Sequence, residues 1–316
     1  MKTVLVTGHA GFIGSHLAER LLSEGYKVVG VDNYNDYYDP KRKEANVKAL
    51  KKNKRFKEYK VDITDEKKLE KIFKDNQIDL IIHLAARAGV RPSIENPELY
   101  QKVNVKGTEN LLEMAKAFKI KNFIFGSSSS VYGEQKKIPF SENDPADKQV
   151  SPYAKTKKQA EELCQQYAMK HGIKMTILRF FTVYGPRGRP DMAPYLFTDK
   201  ILRDESIIKF GKGTSSRDYT YIADIVEGIT QAAKKPFRLE TINLGGNQPV
   251  VLNEFINLIE RLTGKKAKIK NQPRHPADVK RTYADINKAK KLLDWQPKTD
   301  LETGMKELIK WMKELA

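Results

Sequence analysis

Eight residues near the N-terminus, TGHAGFIG (7–14), constrain the possible folds more than any other stretch of the chain. They follow a short apolar run, TVLVTG (3–8), and open an amphipathic stretch, an order typical of a buried strand, a tight turn and a helix. Gly8 permits the tight turn, Gly11 lets the backbone approach a pyrophosphate, and Gly14 lets the helix pack close to the strand. The stretch therefore predicts a dinucleotide-binding strand–turn–helix unit.

An acidic residue follows this turn at the spacing that such a unit requires. Asp32 ends the second apolar run, KVVGVD (27–32), 18 residues after Gly14. A carboxylate at this place accepts hydrogen bonds from the adenosine ribose hydroxyls and repels a 2′-phosphate. We therefore predict NAD as the cofactor rather than NADP. The basic residues at 41–43 lie close in the sequence and keep NADP as an alternative.

Short apolar runs alternate with longer amphipathic stretches throughout residues 1–181. Such regular alternation is typical of a parallel sheet with helices on both faces. Beyond this region glycine and proline become frequent, and ETINLGG (240–246) could return to the same sheet. We therefore predict an α/β fold, in which a Rossmann-type doubly wound parallel sheet is joined to a smaller C-terminal α/β substrate domain.

The composition excludes some classes of protein. Hydrophobic residues make up 40% of the chain and charged residues 31%, which fits a globular protein rather than a disordered one. The formal net charge of +18 would suit a nucleic-acid binder. However, the lysines are spread along the chain among glutamates and lack an aromatic or motif context, so we expect no nucleic-acid partner.

The use of cysteine and histidine limits the chemistry further. Cys164 is the single cysteine, which excludes an internal disulfide framework and a multi-cysteine metal site. The five histidines lack metal-ligand spacing, so we expect no metal. No apolar window reaches the length of a membrane span, and glycines interrupt the short apolar run at the N-terminus. The expectation is a cytoplasmic protein without a membrane partner.

A tyrosine and a lysine lie four residues apart in SPYAKTK (151–157), at the start of a predicted helix. This spacing puts Tyr153 and Lys157 on one face of that helix. A free phenol, with a pKa of about 10, is a weak base at neutral pH, and a nearby ammonium favours the phenolate. Tyr153 could then remove a proton from a substrate hydroxyl.

Three consecutive serines follow the predicted strand that contains NFIF, at the sheet edge where parallel sheets bind ligands. These are Ser127, Ser128 and Ser129. A hydroxyl from this cluster could hold the reacting oxygen of the substrate, so the glycine turn, the serines and the Tyr153/Lys157 helix are all expected at one crevice.

Taken together, TGHAGFIG, DN at 32–33, SSSSVYG and YAKTK resemble the extended short-chain dehydrogenase/reductase family. RDYTYIADI (217–225) and PADVKRTYADINKAKKLLDW (276–295) extend the resemblance over essentially the whole chain. Within that family the chain is most similar to NAD-dependent nucleotide-sugar 4-epimerases. The resemblance implies Tyr153 as the base, Lys157 as its partner and Ser128 as the hydroxyl donor. It also implies homodimers that pair the long helices, here near 95–118 and 152–171.

The expected cofactor contacts come from the glycine turn and from the ends of the next three predicted strands, with Tyr153 and Lys157 completing them. The remaining residues of this set are Gly8, Gly11, Phe12, Ile13, Gly14, Asp32, Asn33, Asp62, Ile63, Leu84, Ala85 and Ala86, together with Asn104, which the resemblance implies near the nicotinamide.

The residues after Ser128 indicate which reaction the resemblance implies. Related nucleotide-sugar 4,6-dehydratases carry Asp-Glu at the positions of Ser129 and Ser130, and UDP-glucuronate decarboxylases usually carry Glu at the second. Serine at both positions favours C4 epimerisation, in which a transient 4-keto sugar is reduced on the other face. The alternatives are a UDP-glucuronate decarboxylase and a nucleotide-binding module without catalysis.

Two further stretches, NYNDYYD (33–39) and FFTVYGPRGRPDMAP (180–194), resemble those of the UDP-glucuronate 4-epimerases. The resemblance implies that Thr182 and Arg189 hold the C5 carboxylate, and arginine suits a carboxylate because it can donate two parallel hydrogen bonds. The expected reaction interconverts UDP-glucuronate and UDP-galacturonate. UDP-glucose/UDP-galactose epimerisation is the alternative on the same scaffold.

The resemblance also implies residues that bind the UDP part of the substrate. Arg217 matches the phosphate-binding arginine, Asp278 matches the acid that binds the uridine ribose, and Phe210 could lie against the uracil. Either Arg274 or His275 could reach the diphosphate, and Arg87 and Arg91 border the crevice. The expected substrate site consists of Ser127, Ser128, Ser129, Thr182, Arg189, Phe210, Arg217 and Asp278.

The chain is expected to divide into two domains. Residues 1–181 and about 218–246 would form the NAD-binding domain, and about 182–217 with 247–316 the nucleotide-sugar-binding domain.

Overall fold

The structure, a computed structural model, describes residues 1–274 and 277–315. Its strands are β1 Thr3–Thr7, β2 Lys27–Asp32, β3 Phe56–Lys60, β4 Leu80–His83, β5 Asn122–Ser128, β6 Lys174–Phe180, β7 Thr182–Tyr184, β8 Ser206–Phe210, β9 Ser216–Tyr221, β10 Leu239–Leu244, β11 Pro249–Val251 and β12 Lys268–Gln272. Its α-helices are α1 Phe12–Ser23, α2 Pro40–Val47, α3 Glu66–Asp75, α4 Val90–Glu95, α5 Pro97–Tyr100, α6 Gly107–Ala117, α7 Pro152–His171, α8 Ala193–Leu202, α9 Ile222–Lys234, α10 Leu252–Thr263, α11 Asn287–Leu293 and α12 Leu301–Leu315. Short 3-10 helices cover Leu50–Lys52 and Ser129–Tyr132, and a π-helical segment covers Gln101–Lys106.

Seven strands form the main sheet in the order β10-β6-β5-β4-β1-β2-β3, and all six neighbouring pairs are parallel. The strand order reverses between β1 and β4, where successive connections leave toward opposite edges of the sheet. Ligands of such sheets bind outside the carboxyl ends of the strands at this reversal. The predicted doubly wound parallel sheet is confirmed, and β10 returns to it as expected.

Alternating side chains of the strands supply the two faces of the sheet. Val4 and Val6 of β1 pack on one side with helices α1 and α9, whereas Leu5 packs on the other side with α3, α6 and α7. This is the period-2 alternation that a strand dictates. Because both faces are covered by helices, the central strands are largely buried along their length, as in β4 Leu80–His83, which is buried throughout.

The rest of the chain builds two small sheets above the carboxyl edge of the main one. β7, β9 and β11 form a three-stranded sheet, and β8 pairs with β12. Their apolar faces pack with α8, α10 and α12 in a third buried cluster that includes Phe255, Ile259 and Leu308. The domain limits drawn from the sequence remain a prediction. Within the described ranges, no helix is both long enough and apolar enough to cross a membrane.

Candidate active site

An elongated cavity of about 460 Å³ lies at the carboxyl edge of the main sheet, within the roughly 300–1,000 Å³ typical of small-molecule sites. It begins at the β1–α1 turn, passes the ends of β2, β4 and β5, and reaches the segments after β6 and around Asp278. Most of the residues proposed from the sequence line it. These are Gly8, Gly11, Phe12, Ile13, Gly14, Asp32, Asn33, Asp62, Ile63, Leu84, Ala85, Ala86, Ser127, Ser128, Ser129, Tyr153, Lys157, Thr182, Arg189, Arg217 and Asp278.

The glycine turn forms one end of this cavity. Gly8 has φ +72°, a conformation that side chains rarely adopt, and its carbonyl oxygen accepts a hydrogen bond from Gly11 N at 3.0 Å. A Cβ on Gly14 would lie 2.1 Å from that same oxygen, so only glycine fits there. The turn therefore leaves the N-terminus of α1 open to the cavity, which is the cradle that a pyrophosphate requires.

Replacing Gly14 by Ala is expected to displace the turn and to abolish cofactor retention. The clash is with backbone atoms, which cannot rotate away, so we expect the free energy of unfolding to fall by about 1–3 kcal/mol. Thermal unfolding and the NAD content of the purified protein measure the two effects. Gly172→Ala is the control for strain alone, because its Cβ would meet no heavy atom within 4 Å but its φ of +66° is unfavourable for alanine, so it should lose stability and keep the NAD content. A Gly14→Ala protein with normal NAD content would contradict this account of the turn.

The end of β2 carries the acid proposed for the adenosine ribose. Asp32 is buried, and its carboxylate accepts a hydrogen bond from Tyr34 N at 2.8 Å. Lys43, one of the residues that kept NADP as an alternative, is buried with its ammonium 3.7 Å from the Asp32 carboxylate. The basic side chain next to the ribose position is thus already paired with Asp32. This arrangement favours an unphosphorylated ribose, in agreement with NAD.

Asn104 is absent from the part of the cavity wall that the described residues form. Its side chain is buried and binds the backbone of Arg87, accepting from N at 2.7 Å and donating to O at 2.9 Å. It also donates to Thr156 Oγ1 on α7 at 3.1 Å. Asn104 therefore holds the loop after β4 against the Tyr153 helix, and Arg87, which the sequence placed only at the border, lines the cavity.

Tyr153 and Lys157 both face the cavity from the first two turns of α7. Ser151 caps this helix by accepting a hydrogen bond from Ala154 N, and Pro152 occupies its first turn, so the sequence itself fixes where the helix begins. The Lys157 ammonium donates to Gly126 O at 2.5 Å and lies 4.2 Å from the centre of the Phe125 ring. Burial lowers the pKa of Lys157 to about 8, so it is mostly charged at neutral pH.

The environment of the Tyr153 phenol determines whether it can serve as a base. Burial raises its pKa above the usual range, whereas a hydrogen bond with Ser128 and the charge of Arg189 act in the opposite direction. The ring of Tyr100 packs edge-on against it, with centroids 6.3 Å apart. Tyr153 is therefore protonated at neutral pH in this structure, and additional positive charge nearby would be needed to make it a base.

The three serines at the end of β5 have different partners. Ser127 is buried and donates to Glu161 Oε1 at 2.6 Å, so its hydroxyl is engaged inside the protein. Ser128 Oγ donates to Ser130 Oγ and accepts from Ser130 N, both at 3.2 Å, and thereby caps the 3-10 helix that follows. Among the three, Ser128 is the one whose hydroxyl contacts the Tyr153 phenol.

Arg189 lines the cavity beside Thr182, but its guanidinium already has a partner. Its Nε and Nη2 donate to the Asp191 carboxylate at 3.0 and 2.5 Å. Tyr37, from the loop after β2, donates to the same carboxylate at 3.0 Å. Sequence reasoning did not identify Asp191, although its position two residues after Arg189 was a signal for such a pair.

At the far end of the cavity, the residues assigned to the UDP part interact with one another. Arg217 and Asp278 line the cavity, whereas Phe210 is not among the described residues of its wall. The Arg91 guanidinium lies 3.7 Å from the centre of the Phe210 ring and donates to the Asp278 carboxylate at 2.8 Å. Arg91 thus covers two of the groups proposed for the uridine.

Arg274 and His275 were both proposed for the diphosphate. Arg274 donates from Nε and Nη2 to Asp278 O at 3.0 and 2.7 Å, which places it next to the cavity wall. His275 lies outside the described residues. Among residues 1–274 and 277–315, no group of three or more His, Cys, Asp or Glu side chains is arranged to hold a metal ion.

Known proteins similar to this chain match it over nearly its whole length. A UDP-glucuronate 4-epimerase of Thermodesulfobacterium geofontis is 50% identical over 315 residues, covering 99% of this chain and 97% of that protein. The crystal structure of UDP-glucuronic acid 4-epimerase from Bacillus cereus, in complex with UDP-glucuronic acid and NAD, superposes with a TM-score of 0.94 at 38% identity, covering 99% of this chain and 100% of that one. The crystal structure of UDP-glucose 4-epimerase from Thermotoga maritima, with UDP-glucose, superposes with a TM-score of 0.91 at 33% identity. This match covers 99% of both chains.

The model of the GDP-mannose 4,6-dehydratase family matches residues 5–308. That match and the identities above agree with the resemblance drawn from the motifs. The chain therefore belongs to the GDP-mannose 4,6-dehydratase family of extended short-chain dehydrogenases/reductases.

Proposed function

We propose that the protein is an NAD-dependent UDP-glucuronate 4-epimerase that interconverts UDP-glucuronate and UDP-galacturonate. The observation that carries this proposal is one cavity that holds Tyr153, Lys157 and Ser128 at one place and Arg189 with Thr182 beside them. Serine at 129 and 130 leaves this cavity without the acid that dehydration would need at those positions. The similar UDP-glucuronate 4-epimerases support the same reading.

The residues present fit NAD. The open glycine turn would hold the pyrophosphate, Asp32 the adenosine ribose, and Tyr153 with Lys157 the nicotinamide ribose. When bound, NAD supplies the chemistry of accepting a hydride from C4 of the sugar and of returning it to the other face.

Proton transfer is the task of this chain's own residues. We assign to Tyr153 the removal of the proton from the C4 hydroxyl and its later return to the C4 oxygen. Ser128, which already contacts the phenol, would donate a hydrogen bond to that oxygen and hold it in place. Lys157 would keep a positive charge near the phenolate while it exists.

The position of the sugar carboxylate determines whether the oxidised sugar keeps or loses it. A glucuronate oxidised at C4 is a β-keto acid, which can lose CO₂ when the bond between C5 and the carboxylate carbon aligns with the π orbitals of the C4 carbonyl. We assign to Arg189 and Thr182 the binding of that carboxylate as a localised, hydrogen-bonded anion. Asp191 occupies the Nε/Nη2 edge of Arg189, so the substrate would use Nη1 or displace Asp191.

Replacing Arg189 by Ala is expected to raise the KM for UDP-glucuronate by about tenfold or more, because a charged hydrogen bond contributes about 1.5–3 kcal/mol. A UDP-pentose side product is expected as well, since the carboxylate is no longer held. Product analysis by NMR and initial rates measure both effects. Arg187→Ala is the matched control, because Arg187 pairs with Glu19 at 2.8 Å and is outside the described cavity wall. Unchanged KM together with a single product would contradict the role given to Arg189.

The pH dependence of kcat/KM should follow the charge of Lys157. Because burial lowers its pKa to about 8, its positive charge is lost as the pH rises through 8. The groups that face it are Glu161 and Cys164 on its own helix and His83 on β4. We therefore expect kcat/KM to fall about tenfold per pH unit above pH 8. Lys157→Arg should retain a residual rate without this alkaline limb, since arginine does not titrate there. A wild-type profile that is flat to pH 10 would contradict the requirement for the ammonium.

An NMR time course of the purified protein with UDP-glucuronate, without added NAD, tests the proposed function. UDP-galacturonate as the product would support it and would show that NAD co-purifies. UDP-xylose would instead mean decarboxylation. A second candidate, UDP-glucose/UDP-galactose epimerisation, is favoured by the Asp191 carboxylate that already occupies one edge of Arg189. Turnover of UDP-galactose without turnover of UDP-glucuronate would establish that candidate.

We also infer a homodimer in which α6 and the long helix α7 of two copies pair. Leu163 and Tyr167 are only half-buried on α7, and Met169 is exposed on it, which leaves apolar surface for a partner helix. Light scattering at micromolar concentration would test this by giving the mass of one or of two chains. The single Cys164, buried and free, fits the reducing cytoplasm that we propose as the location.

A further inference from the structure

A buried ion pair lies directly behind the proposed catalytic residues. Glu161 is fully buried and Arg179 is 4% exposed. Arg179 donates from Nε to Glu161 Oε1 at 2.9 Å and from Nη2 to Glu161 Oε2 at 2.7 Å, which is the bidentate geometry of a strong charged pair. Neither residue is part of the cavity wall that the structure describes.

The pair is connected to the helix that carries the proposed base. Tyr153, Lys157 and Glu161 follow one another at intervals of four residues along α7, so they share one face of this helix. A shift of Glu161 along or around the helix axis would therefore move the other two. Glu161 ties this face of α7 to the sheet through Ser127 and Arg179, as Lys157 does through Gly126 O.

The pair is equally connected to the serine strand. Arg179 of β6 lies opposite Ser127 in the register of β5 and β6, and Ser127 donates to the same Glu161 oxygen, Oε1, at 2.6 Å. Ser127 immediately precedes Ser128, which contacts the Tyr153 phenol. Glu161 therefore joins the Ser128 strand to the Tyr153 helix through a single carboxylate.

On its other side, Arg179 contacts the segment that follows the serines. Its guanidinium carbon lies 4.7 Å from the centre of the Tyr132 ring, and the Tyr132 hydroxyl donates to Asn243 Oδ1 at 2.7 Å. Tyr132 ends the 3-10 helix that begins at Ser129. The network thus connects α7 with Tyr153, β5 with Ser127 and Ser128, and the 3-10 helix that begins at Ser129.

Stability alone does not account for a charged pair at this place. Two charges buried together lose their hydration, and apolar side chains of similar volume often stabilise a protein as well or better. A pair of this kind does, however, define geometry, because both ends must meet at fixed angles.

We propose that Glu161, together with Arg179 and Ser127, positions the Tyr153 helix against the Ser128 strand. This inference rests on the proposed function, in which Ser128 and Tyr153 act on the same oxygen. Glu161 is a positioning residue in this account, since it acts through Ser127 and through α7 without touching the substrate. Its negative charge also favours the charged form of Lys157, one helical turn away.

Two variants test the proposal while keeping the buried charge balanced. Ser127→Ala removes only the hydroxyl link, and the double variant Glu161→Gln/Arg179→Met removes both charges at once. For both we expect kcat to fall about tenfold or more, with the KM for the UDP-sugar within about twofold. Glu162→Gln is the matched control, because Glu162 is exposed on the same helix and pairs with Lys158. It should keep the wild-type kcat.

A pH profile separates positioning from general stability. The hydrogen bond with Ser128 lowers the pKa of Tyr153, so loosening that contact should move the acid limb of kcat upward by about half to one pH unit. A folded Ser127→Ala protein with wild-type kcat and an unshifted acid limb would overturn the proposal. This variant decides the question even if the double variant does not fold.

The contact between Ser128 and the Tyr153 phenol can also be measured without substrate turnover. An ultraviolet difference titration of tyrosinate, comparing each protein with its Tyr153→Phe counterpart, reports the pKa of Tyr153 directly. If the wild-type holoenzyme converts no UDP-sugar, the proposed function fails. An upward shift in Ser127→Ala would still support the positioning role, and an unchanged titration would overturn it.

Discussion

Replacing Tyr153 by Phe is expected to lower kcat for UDP-glucuronate by about 10³- to 10⁴-fold, which is the upper range for the loss of a positioned acid–base group. The substitution removes one oxygen atom and leaves the ring, which packs edge-on against Tyr100, in place. The KM should change little, because we assign the binding of the carboxylate and of the UDP part to other residues. The loss is therefore expected in kcat, where interactions made only in the transition state are seen.

Initial rates and calorimetric binding of UDP-glucuronate to the holoenzyme measure this prediction. Tyr167→Phe is the control on the same helix, because Tyr167 donates to Glu113 away from the cavity. A Tyr153→Phe protein with more than about a tenth of the wild-type kcat would show that another group moves the proton. Binding of UDP-glucuronate without turnover by the wild-type protein would instead support the nucleotide-binding module without catalysis, which the sequence left open.

The second large effect concerns stability. Arg179→Met is expected to lower the free energy of unfolding by about 3–5 kcal/mol. The reason is not the loss of an attraction as such. The substitution leaves the Glu161 carboxylate fully buried, with the Ser127 hydroxyl as the hydrogen-bond donor that remains to it. An uncompensated buried charge of this kind is among the most destabilising changes that a single substitution can cause.

Denaturant unfolding of the single and double variants measures the effect. Glu161→Gln/Arg179→Met should recover most of the stability, since it removes both charges together. Arg203→Met is the control, because Arg203 is 64% exposed and its pair with Asp199 should contribute less than about 1 kcal/mol. Equal losses in the single and double variants would mean that packing, rather than the unpaired charge, accounts for the destabilisation.

Much of the fold could be predicted because its signals are local. The helix at Pro152–His171 is preceded by a capping serine and begins with proline, and its C-terminal residue is followed by a left-handed Gly172. The return of β10 to the main sheet was predicted from one apolar run followed by glycines, and it is confirmed. In contrast, the π-helical segment Gln101–Lys106 was not predicted, since its sequence reads as ordinary helix.

For the site, too, features that depend on local spacing could be predicted, and features that depend on packing could not. Tyr153 and Lys157 could be placed together because four residues along a helix return to the same face. The hydrogen bonds of Asn104 to Arg87 could not be predicted, because they depend on how the loop after β4 meets the π-helical segment Gln101–Lys106. Phe210 was assigned to the substrate, yet its ring is covered by Arg91, which lies 119 residues earlier in the chain.

By itself, the sequence determined the parallel sheet, the glycine cradle, the acid at the end of β2 and the Tyr153/Lys157 pair. Each of these depends on backbone periodicity or on a spacing within about one turn or one strand. Only the tertiary structure decided the distant partners of the charged groups: Tyr37 at Asp191, Arg91 at Asp278, and Glu161 at Arg179. These contacts join side chains from separate elements. Their formation depends on how helices and strands pack, because a charge is paired by whichever group the completed fold brings within about 4 Å.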